Sequence, residues 1–419
     1  MHLSQRDLLT DVNNAMRSVP EGRVAVAVSG GGDSTALLLL LAKWAQNTGR
    51  VIEAVTVDHG LRPEAAAEAE FVGEVCSDLG LHHVILKWQG WNGQGNLMNA
   101  ARHARRALIA RWAIGRGIGA VVTGHTRDDQ AETFLMRLAR GSGVDGLAAM
   151  YPERRADGVL WLRPLLGFRR EELRDYLRKR GVSWVEDPSN EDERFDRIKM
   201  RKAMGMLEQL GLRADVLSDT ADRMRRARHA LEITTQSLAY SVAEPRQSGV
   251  VRLQLDGFLA APCEVQLRLL AHIMGWVSGT EYRPRLQSLE RVLAGIGNGQ
   301  THTLAGCLIS PFGKGCFEIC REVNAMRPTE DLAAVFDRRW RIDCNLNLAP
   351  LTLRALAEDG IALRTDWRQT AESRNSILST PSIWYNNELK SVPLLDKDGA
   401  CSCTLNKGVQ SFFESILTH

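Results

Sequence analysis

The residues best suited to chemistry in this sequence lie in short polar segments that directly follow apolar, valine-rich runs. The first has the sequence S-G-G-G-D-S at residues 29–34. Consecutive glycines let the backbone turn tightly, so several N–H groups can point at one anion. Asp33 is unusual there, because a carboxylate beside a phosphate is repulsive unless a cation lies between them. The segment therefore predicts a phosphate site bridged to Asp33 by Mg²⁺.

Two further segments carry acids and histidines. Asp58 and His59 follow the second apolar run, and H-T-R-D-D-Q-A-E-T occupies residues 125–133. Asp129, Glu132 and Thr133 would share one face of a helix, at spacings of three and four residues. A carboxylate placed there could hold a substrate cation or accept its proton. The alternative, weighed most for Asp128, is that acids in a first helical turn only stabilise the helix dipole.

The elements that position these segments alternate between strand and helix. This alternation predicts a doubly wound parallel sheet, of the Rossmann-like type. In such sheets ligands bind beyond the carboxyl ends of the strands, where all three segments would lie. Ser34 is predicted to cap the first long helix. The predicted strands cover about 23–28, 51–57, 82–88 and 119–125, and the predicted helices about 34–48, 63–79, 96–116 and 128–140.

The glycine segment has neither the lysine of G-x-x-x-x-G-K-[ST] nor the spacing of G-x-G-x-x-G. It resembles the signature of the PP-loop ATP pyrophosphatases. Longer stretches resemble one branch of that superfamily, the tRNA(Ile)-lysidine synthetase family, most closely over residues 23–201. These stretches are V-D-H-G-L-R at 57–62, G-N-L-M-N-A-A-R-H-A-R-R-A-L-I at 95–109, T-G-H-T-R-D-D-Q-A-E-T-F-L-M-R-L-A-R-G-S-G-V-D-G-L-A-A-M at 123–150, R-P-L-L-G-F-R-R-E-E-L at 163–173 and W-V-E-D-P-S-N-E-D at 184–192.

One segment departs from the family pattern. Where an R-N-x-I-R-like stretch is expected, this chain has R-F-D-R-I-K-M-R-K at 194–202. Ile198 stands where asparagine is expected, and Arg197 and Arg201 keep the outer positions. Because the pattern differs at Ile198, the role that the family gives to this segment does not transfer directly to this chain.

The resemblance implies a ligase that modifies the wobble cytidine, position 34, of an isoleucine tRNA with a CAU anticodon. ATP would adenylate O2 of the base, and the ε-amine of free L-lysine would attack C2. The products would be lysidine in the tRNA, AMP and pyrophosphate, and decoding would change from AUG to AUA. ATP and Mg²⁺ are the implied cofactors.

The resemblance also assigns roles to residues. Catalysis is expected from Asp33, His125 and Asp129, and Asp33 is expected to hold Mg²⁺. The residues expected to contact ATP are Ser29, Gly30, Gly31, Gly32, Asp33, Ser34, Asp58 and His59. The residues expected to contact lysine or tRNA are Asp128, Glu132, Arg102, Arg105, Arg137, Arg140 and Arg201.

Two other functions compete with this one. Another adenylating tRNA modifier, such as a tRNA thiolase, would need a reactive cysteine, and Cys76 is the only cysteine in the first half of the chain. An RNA-binding protein with a decayed ATPase domain is disfavoured by the intact Asp33, Asp129 and glycines. The eight cysteines form no C-x-x-C pair, which favours free thiols over a zinc site.

Length, composition and charge indicate the domain organisation and the kind of partner. The length and the pattern of the 419 residues predict three domains: a catalytic domain at 1–215, a mainly helical domain at 216–325 and a small α+β domain at 332–419. The family resemblance implies that the last two bind tRNA. Net charge is only +3, but clustered arginines favour a polyanionic partner. No long apolar run or signal-like segment occurs, which predicts a cytoplasmic enzyme without membrane contact. The oligomeric state stays open between monomer and homodimer.

Overall fold

The computed structural model describes residues 7–60, 64–88, 97–186, 196–280, 282–396 and 399–417. The chain forms two compact units, Met1–Arg228 and His229–His419. Parts of the sequence motifs lie outside the described residues, namely 61–62, 95–96, 187–192 and 194–195, together with the predicted helix start at 63. The division into three domains stays a prediction.

Unit 1 is built on a six-stranded sheet. Its strands are β1 (Val24–Ala27), β2 (Ile52–Asp58), β3 (His82–Lys87), β4 (Ala120–Thr123), β5 (Glu153–Ala156) and β6 (Val159–Leu162). The order is β3-β2-β1-β4-β6-β5, and all pairs are parallel except that of β5 with β6. The predicted doubly wound parallel sheet is confirmed. The β5–β6 hairpin at its edge was not predicted.

The helices of unit 1 are α1 (Leu8–Ala15), α2 (Gly32–Thr48), α3 (Glu64–Asp78), α4 (Leu97–Gly115), α5 (Arg127–Leu138), α6 (Val144–Leu147), α7 (Arg170–Arg178), α8 (Asp196–Gln209) and the first part of α9 (Ala214–Val242), which continues into unit 2. Two predicted details are wrong. Helix α2 begins before Ser34 and has Gly31 at its N-cap. Helix α5 ends at Leu138, so Arg140 lies beyond the helix that was predicted to reach it.

The two faces of the sheet bury different helices. Val24 and Val26 point to the face covered by α1, α2, α3 and α7, while Ala25 and Ala27 point to the face covered by α4. This follows from the two-residue period of a strand. Helix α2 is apolar on nearly all sides because it packs between the sheet and α7. Covered on both faces, the sheet offers ligands its carboxyl edge.

Unit 2 contains a five-stranded antiparallel sheet packed against helices. Its strands are β7 (Ala243–Pro245), β8 (Val251–Gln254), β9 (His302–Leu304), β10 (Cys307–Pro311) and β11 (Cys316–Arg321), in the order β7-β8-β11-β10-β9. The helices are α10 (Leu255–Leu259), α11 (Cys263–Ser278) and α12 (Leu286–Gly297). Phe258, Leu269 and Phe317 are fully buried where these elements meet.

The remaining elements of unit 2 are short. The strands are β12 (Trp340–Cys344), β13 (Thr352–Ala355), β14 (Pro381–Tyr385), β15 (Glu388–Ser391) and β16 (Cys401–Leu405), and the helices are α13 (Ala357–Ala362), α14 (Arg374–Leu378) and α15 (Gln410–Glu414). Strands β12 and β16 pair, and β13, β14 and β15 form a second small sheet. Cys344 and Cys401 lie opposite each other and form a disulfide, so the expectation of free thiols is wrong for this pair.

In the ranges that the structure describes, no helix combines the length and the apolar character needed to cross a membrane.

A buried histidine makes unit 2 sensitive to acid. The ring of His272 lies 2.7 Å from the Phe412 carbonyl oxygen, and burial lowers its pKa from 6.5 to about 4. The unfolded chain therefore binds a proton near pH 6.5 that the native chain binds only near pH 4, so stability falls as the pH drops through that interval. We expect a loss of about 3 kcal/mol from this group.

Thermal melting across that pH interval measures the effect. A His272→Gln variant still donates a hydrogen bond to Phe412 but does not titrate, so its melting temperature should fall less on acidification than that of the unmodified chain. Equal pH dependence in the two proteins would show that His272 is not responsible.

Candidate active site at the carboxyl edge of the sheet

The three polar segments meet at one edge of the sheet. They follow β1, β2 and β4, and β1 lies between the other two strands. Successive strands are added on one side of β1 up to β3, and β4 is then added on the other side. A reversal of this kind opens a crevice at the carboxyl edge, where doubly wound sheets bind ligands. The predicted location of the site at the carboxyl ends of the strands agrees with this arrangement.

The glycine loop is held by its own side chains and by a distant segment. Gly30 has a φ of +84°, a left-handed conformation that favours glycine. Ser34 Oγ donates to Gly31 O at 2.9 Å and accepts from Ser29 N at 3.1 Å, so this serine fixes the loop from within the first turn of α2. Val185 N donates to Gly30 O at 2.9 Å. Hydrogen bonds from within the loop and from Val185 therefore hold the glycine loop in this conformation.

Gly124, which follows β4, allows the loop and the H-T-R-D-D segment to touch. A Cβ on Gly124 would lie 3.0 Å from Asp33 O and 3.1 Å from Ser34 Cα. Both are backbone atoms, which cannot move aside as a flexible side chain would. Gly124 was quoted within a motif above but not identified as important, because its role depends on an approach between segments about 90 residues apart in sequence.

We expect Gly124→Ala to push the glycine loop away from β4, with a cost of about 1–3 kcal/mol in unfolding free energy and a raised KM for ATP. Gly119→Ala is the matched control, because a Cβ there meets nothing within 4 Å. Denaturant melts and ATP-dependent pyrophosphate release measure the two effects. Equal behaviour of the two variants would contradict the proposed close packing.

Asp33 combines burial with an unsatisfied oxygen. Its Oδ2 accepts from Arg170 Nε at 3.1 Å, while its Oδ1 is buried and has no partner in the described part of the chain. Burial, aided by the negative charges of Asp129 and Asp128, raises the pKa of Asp33 to about 6 against the opposing effect of Arg170. A cation beside Oδ1 would relieve this cost, and a carboxylate oxygen is a ligand that Mg²⁺ prefers.

Asp33 would need help to hold a metal. In the described residues no group of three or more histidine, cysteine or acidic side chains could hold a metal ion. A magnesium ion at Asp33 would therefore complete its coordination with oxygens of a nucleotide and water, which is how magnesium binds at many phosphate-transfer sites.

Two acids of α5 face three arginines. Glu132, only 2% exposed, accepts from Arg197 Nε at 2.6 Å and from Arg201 Nε at 2.9 Å. Asp129 Oδ1 accepts from Arg170 and Arg197 at 3.1 and 3.0 Å. Burial opposes ionisation of Asp129, but these two guanidinium groups prevail and lower its pKa. Both arginines that keep their positions in the altered 194–202 segment thus reach the predicted acids.

The other oxygen of Asp129 caps its own helix. Oδ2 accepts from Thr126 N at 2.8 Å and from Thr126 Oγ1 at 3.1 Å. Asp128, next in sequence, accepts from the backbone N–H of Arg170 at 2.7 Å and so joins α5 to the start of α7. The two neighbouring acids therefore differ, since Asp129 faces the cations and Asp128 holds a helix end.

His125 and Asp58 have local partners. His125 Nδ1 lies 2.9 Å from Thr123 Oγ1, and burial lowers the pKa of the ring well below its ordinary value although Asp129 opposes this. His125 is therefore neutral near pH 7. Asp58 Oδ1 accepts from Gly60 N at 2.8 Å, and the His59 ring contacts the Trp88 ring edge to face at 6.0 Å. The predicted contact of Asp58 and His59 with a nucleotide stays a prediction.

Arginines of α4 converge with those of α5 and α8. The pKa of Arg102 is lowered first by burial and then by the positive charges of Arg197, Arg137 and Arg106. Burial, then the charge of Arg102, lowers the pKa of Arg105. Mutual repulsion of this kind shows a local excess of positive charge, which suits a phosphate backbone. Arg137 and Arg140 are both exposed.

Arg170 was missed in the sequence analysis although it carries the largest number of site contacts. It lies in the quoted R-P-L-L-G-F-R-R-E-E-L stretch, so the resemblance marked its neighbourhood. The chain contains many arginines, so the residue type alone did not mark Arg170 as part of the candidate site. The contact that matters joins it to Asp33, 137 residues away in sequence.

Comparison with known proteins identifies the family. The family model described as a PP-loop domain matches residues 4–207. The tRNA(Ile)-lysidine synthase of Ruegeria pomeroyi is 41% identical over 418 residues, covering 100% of this chain and 99% of that protein. That of Wolbachia pipientis wMel is 35% identical over 421 residues, covering 94% and 95%.

Among solved structures, the U34-tRNA thiolase NcsA from Methanococcus maripaludis, with its 4Fe-4S cluster, aligns with a TM-score of 0.46 and 18% identity, covering 52% of this chain and 77% of that one. The family predicted from the motifs is confirmed by the relatives that match from end to end. With a PP-loop domain and such matches over its whole length, the chain belongs to the tRNA(Ile)-lysidine synthase family.

Proposed function

We propose that the chain ligates free L-lysine to C2 of cytidine 34 in tRNA(Ile) with a CAU anticodon, through an adenylated tRNA and with release of AMP and pyrophosphate. One observation carries this proposal. In a chain that matches a tRNA(Ile)-lysidine synthase over its full length, the S-G-G-G-D-S loop lies against the H-T-R-D-D segment at one sheet edge. A phosphate cradle and the acids of α5 therefore face the same crevice.

The glycine loop binds ATP in the first step. Its backbone N–H groups and the start of α2 bind the pyrophosphate portion, while the base oxygen attacks the α-phosphorus. Asp33 Oδ1, which is buried without a hydrogen-bond partner in the described residues, would hold Mg²⁺, and the ion would neutralise charge on the phosphates. Asp58 and His59 border the nucleotide side. Adenylation turns the unreactive O2 of cytidine into a leaving group.

The acids of α5 handle lysine in the second step. The lysine ε-amine is protonated near pH 7, with a reference pKa of about 10.4, and must lose a proton before it attacks C2. Asp129 stays ionised beside its arginines, so it can hold the ammonium group and receive its proton. Glu132 keeps Arg197 and Arg201 in place. His125, neutral at this pH, lies one turn away and borders the reacting base.

The arginine cluster holds the anticodon loop. Arg102, Arg105 and Arg137 present positive charge near Arg197, which pairs with the acids of α5. In a single-stranded loop the wobble base is unstacked and can enter the crevice. Because arginine–phosphate contacts release counterions, we propose that tRNA affinity falls steeply with salt.

The thiolase alternative lacks a suitable thiol. Cys76, the only cysteine of unit 1, is fully buried in α3, and burial raises its pKa to about 11. A thiol of this kind stays protonated near pH 7 and is a poor nucleophile. We therefore expect Cys76→Ala to keep at least about half of the lysine incorporation, since its effect is limited to a small cavity. Abolished activity would favour sulfur transfer.

The test of the proposal supplies ATP, Mg²⁺, radiolabelled L-lysine and tRNA(Ile) with the CAU anticodon, and measures label retained in the tRNA. A transcript with the wobble C changed to U is the control. Label in the first alone supports the reaction and the target base together. Pyrophosphate release without label would point to another nucleophile.

Light scattering distinguishes the monomer from the homodimer, and fractionation of cells tests the proposed cytoplasmic location.

A further inference from the structure

Four carboxylates of the proposed site converge on one residue. Arg170 Nε lies 3.1 Å from Asp33 Oδ2, and its Nη2 lies 3.1 Å from Asp129 Oδ1 and 3.7 Å from Glu132 Oε1. The backbone N–H of the same residue donates to Asp128 at 2.7 Å. The side chain is 19% exposed, so water only partly screens these contacts.

Arg170 differs from the neighbouring arginines in its contact with Asp33. Arg197 and Arg201 also pair with the acids of α5. Within the part of the chain that the structure describes, Arg170 is the only cation in ion-pair contact with Asp33. It is thus the residue that links the loop acid after β1 to the acids of α5.

The link depends on the shape of the guanidinium group. Two different nitrogens of one rigid plane reach two acids from separate elements, and the backbone of the same residue is fixed to α5. Lysine, with a single charged nitrogen on a flexible stem, could keep the charge but could not hold both acids at these distances.

We propose that Arg170 is a positioning residue that sets the distance between the adenylation half of the site, at Asp33, and the lysine half, at Asp129 and Glu132. The inference rests on the proposed ligase function. It adds that the two steps are coupled by geometry, since the adenylated base formed over the loop must meet an amine held on α5. A displacement of about 1 Å can reduce a rate about 100-fold.

The experiment measures coupling rather than activity alone. In a single turnover with enzyme in excess over tRNA, pyrophosphate released reports adenylation and label in tRNA reports lysine transfer. The unmodified enzyme should give a ratio of lysine to pyrophosphate near one. Arg170→Lys should lower this ratio, with transfer slowed about 100-fold, and saturating lysine should not restore it. Arg178→Lys, on the exposed side of α7, is the matched control and should keep the ratio.

Each other outcome overturns the inference. If Arg170→Lys slows both steps in parallel and the ratio stays near one, Arg170 supports the stability of the whole site and does not set the distance between its halves. A ratio restored by saturating lysine would show an effect on lysine affinity instead of position. Melting curves establish that Arg170→Lys is folded, and Arg170→Gln is measured in the same way if it is not. Absence of label with the unmodified enzyme would reject the ligase function itself. That result can be distinguished from a failure of the Arg170 inference, which is read from the variants.

Discussion

Asp33→Ala is expected to abolish ATP-dependent chemistry while tRNA binding persists. The substitution removes the buried Oδ1, which has no hydrogen-bond partner in the described residues and is the oxygen proposed to hold a cation over the ATP phosphates. Loss of one group that stabilises charge in a transition state costs about 100- to 1000-fold in rate. Pyrophosphate release should fall by that factor, and filter binding should show unchanged tRNA affinity, because the arginines of α4 are untouched.

Two controls sharpen this result. Asp78→Ala removes an exposed acid at the end of α3, away from the carboxyl edge, and should leave pyrophosphate release unchanged. Asp33→Asn keeps the shape and the hydrogen-bonding oxygen but removes the charge, so it should be nearly as inactive as Asp33→Ala. Normal adenylation by Asp33→Asn would contradict the proposed cation bridge and leave Asp33 a purely structural role.

Asp129→Asn is expected to impair lysine transfer more than adenylation. An asparagine oxygen can still accept from Thr126, so the cap of α5 survives. The negative charge beside Arg170 and Arg197 is lost, and with it the group proposed to hold the ammonium and receive its proton. General-base catalysis contributes at least about 100-fold. Lysine incorporation should fall by that factor, and the KM for lysine should rise.

Asp128→Asn is the matched control for this variant. Asp128 belongs to the same helical turn, but its carboxylate accepts from the Arg170 backbone instead of facing the cations. We expect it to lower melting temperature slightly and to leave the KM for lysine unchanged. If the two variants raised the KM equally, the assignment of Asp129 to lysine would be wrong, and charge anywhere in the first turn of α5 would suffice.

The sequence by itself determined four parallel strands of the sheet, the edge expected to carry the candidate site and the family. Valine-rich runs, the glycines after β1 and the helical periodicities are local signals, and each predicts its element without knowledge of the others. The S-G-G-G-D-S loop was predicted to follow a buried strand and precede a helix, as it does. The edge of the site then follows from the rule that parallel strands share a carboxyl edge.

Only the tertiary structure decided which charged groups meet. Arg170 reaches Asp33 across 137 residues, and Arg197 reaches Glu132 across 65. Their partners are set by how α5, α7 and α8 pack, which hydrophobic periodicity does not encode. The same holds for Gly124, whose importance is an approach between two backbones. Ser34 proved to fix the loop instead of capping α2, because the helix begins two residues earlier than its polarity suggested.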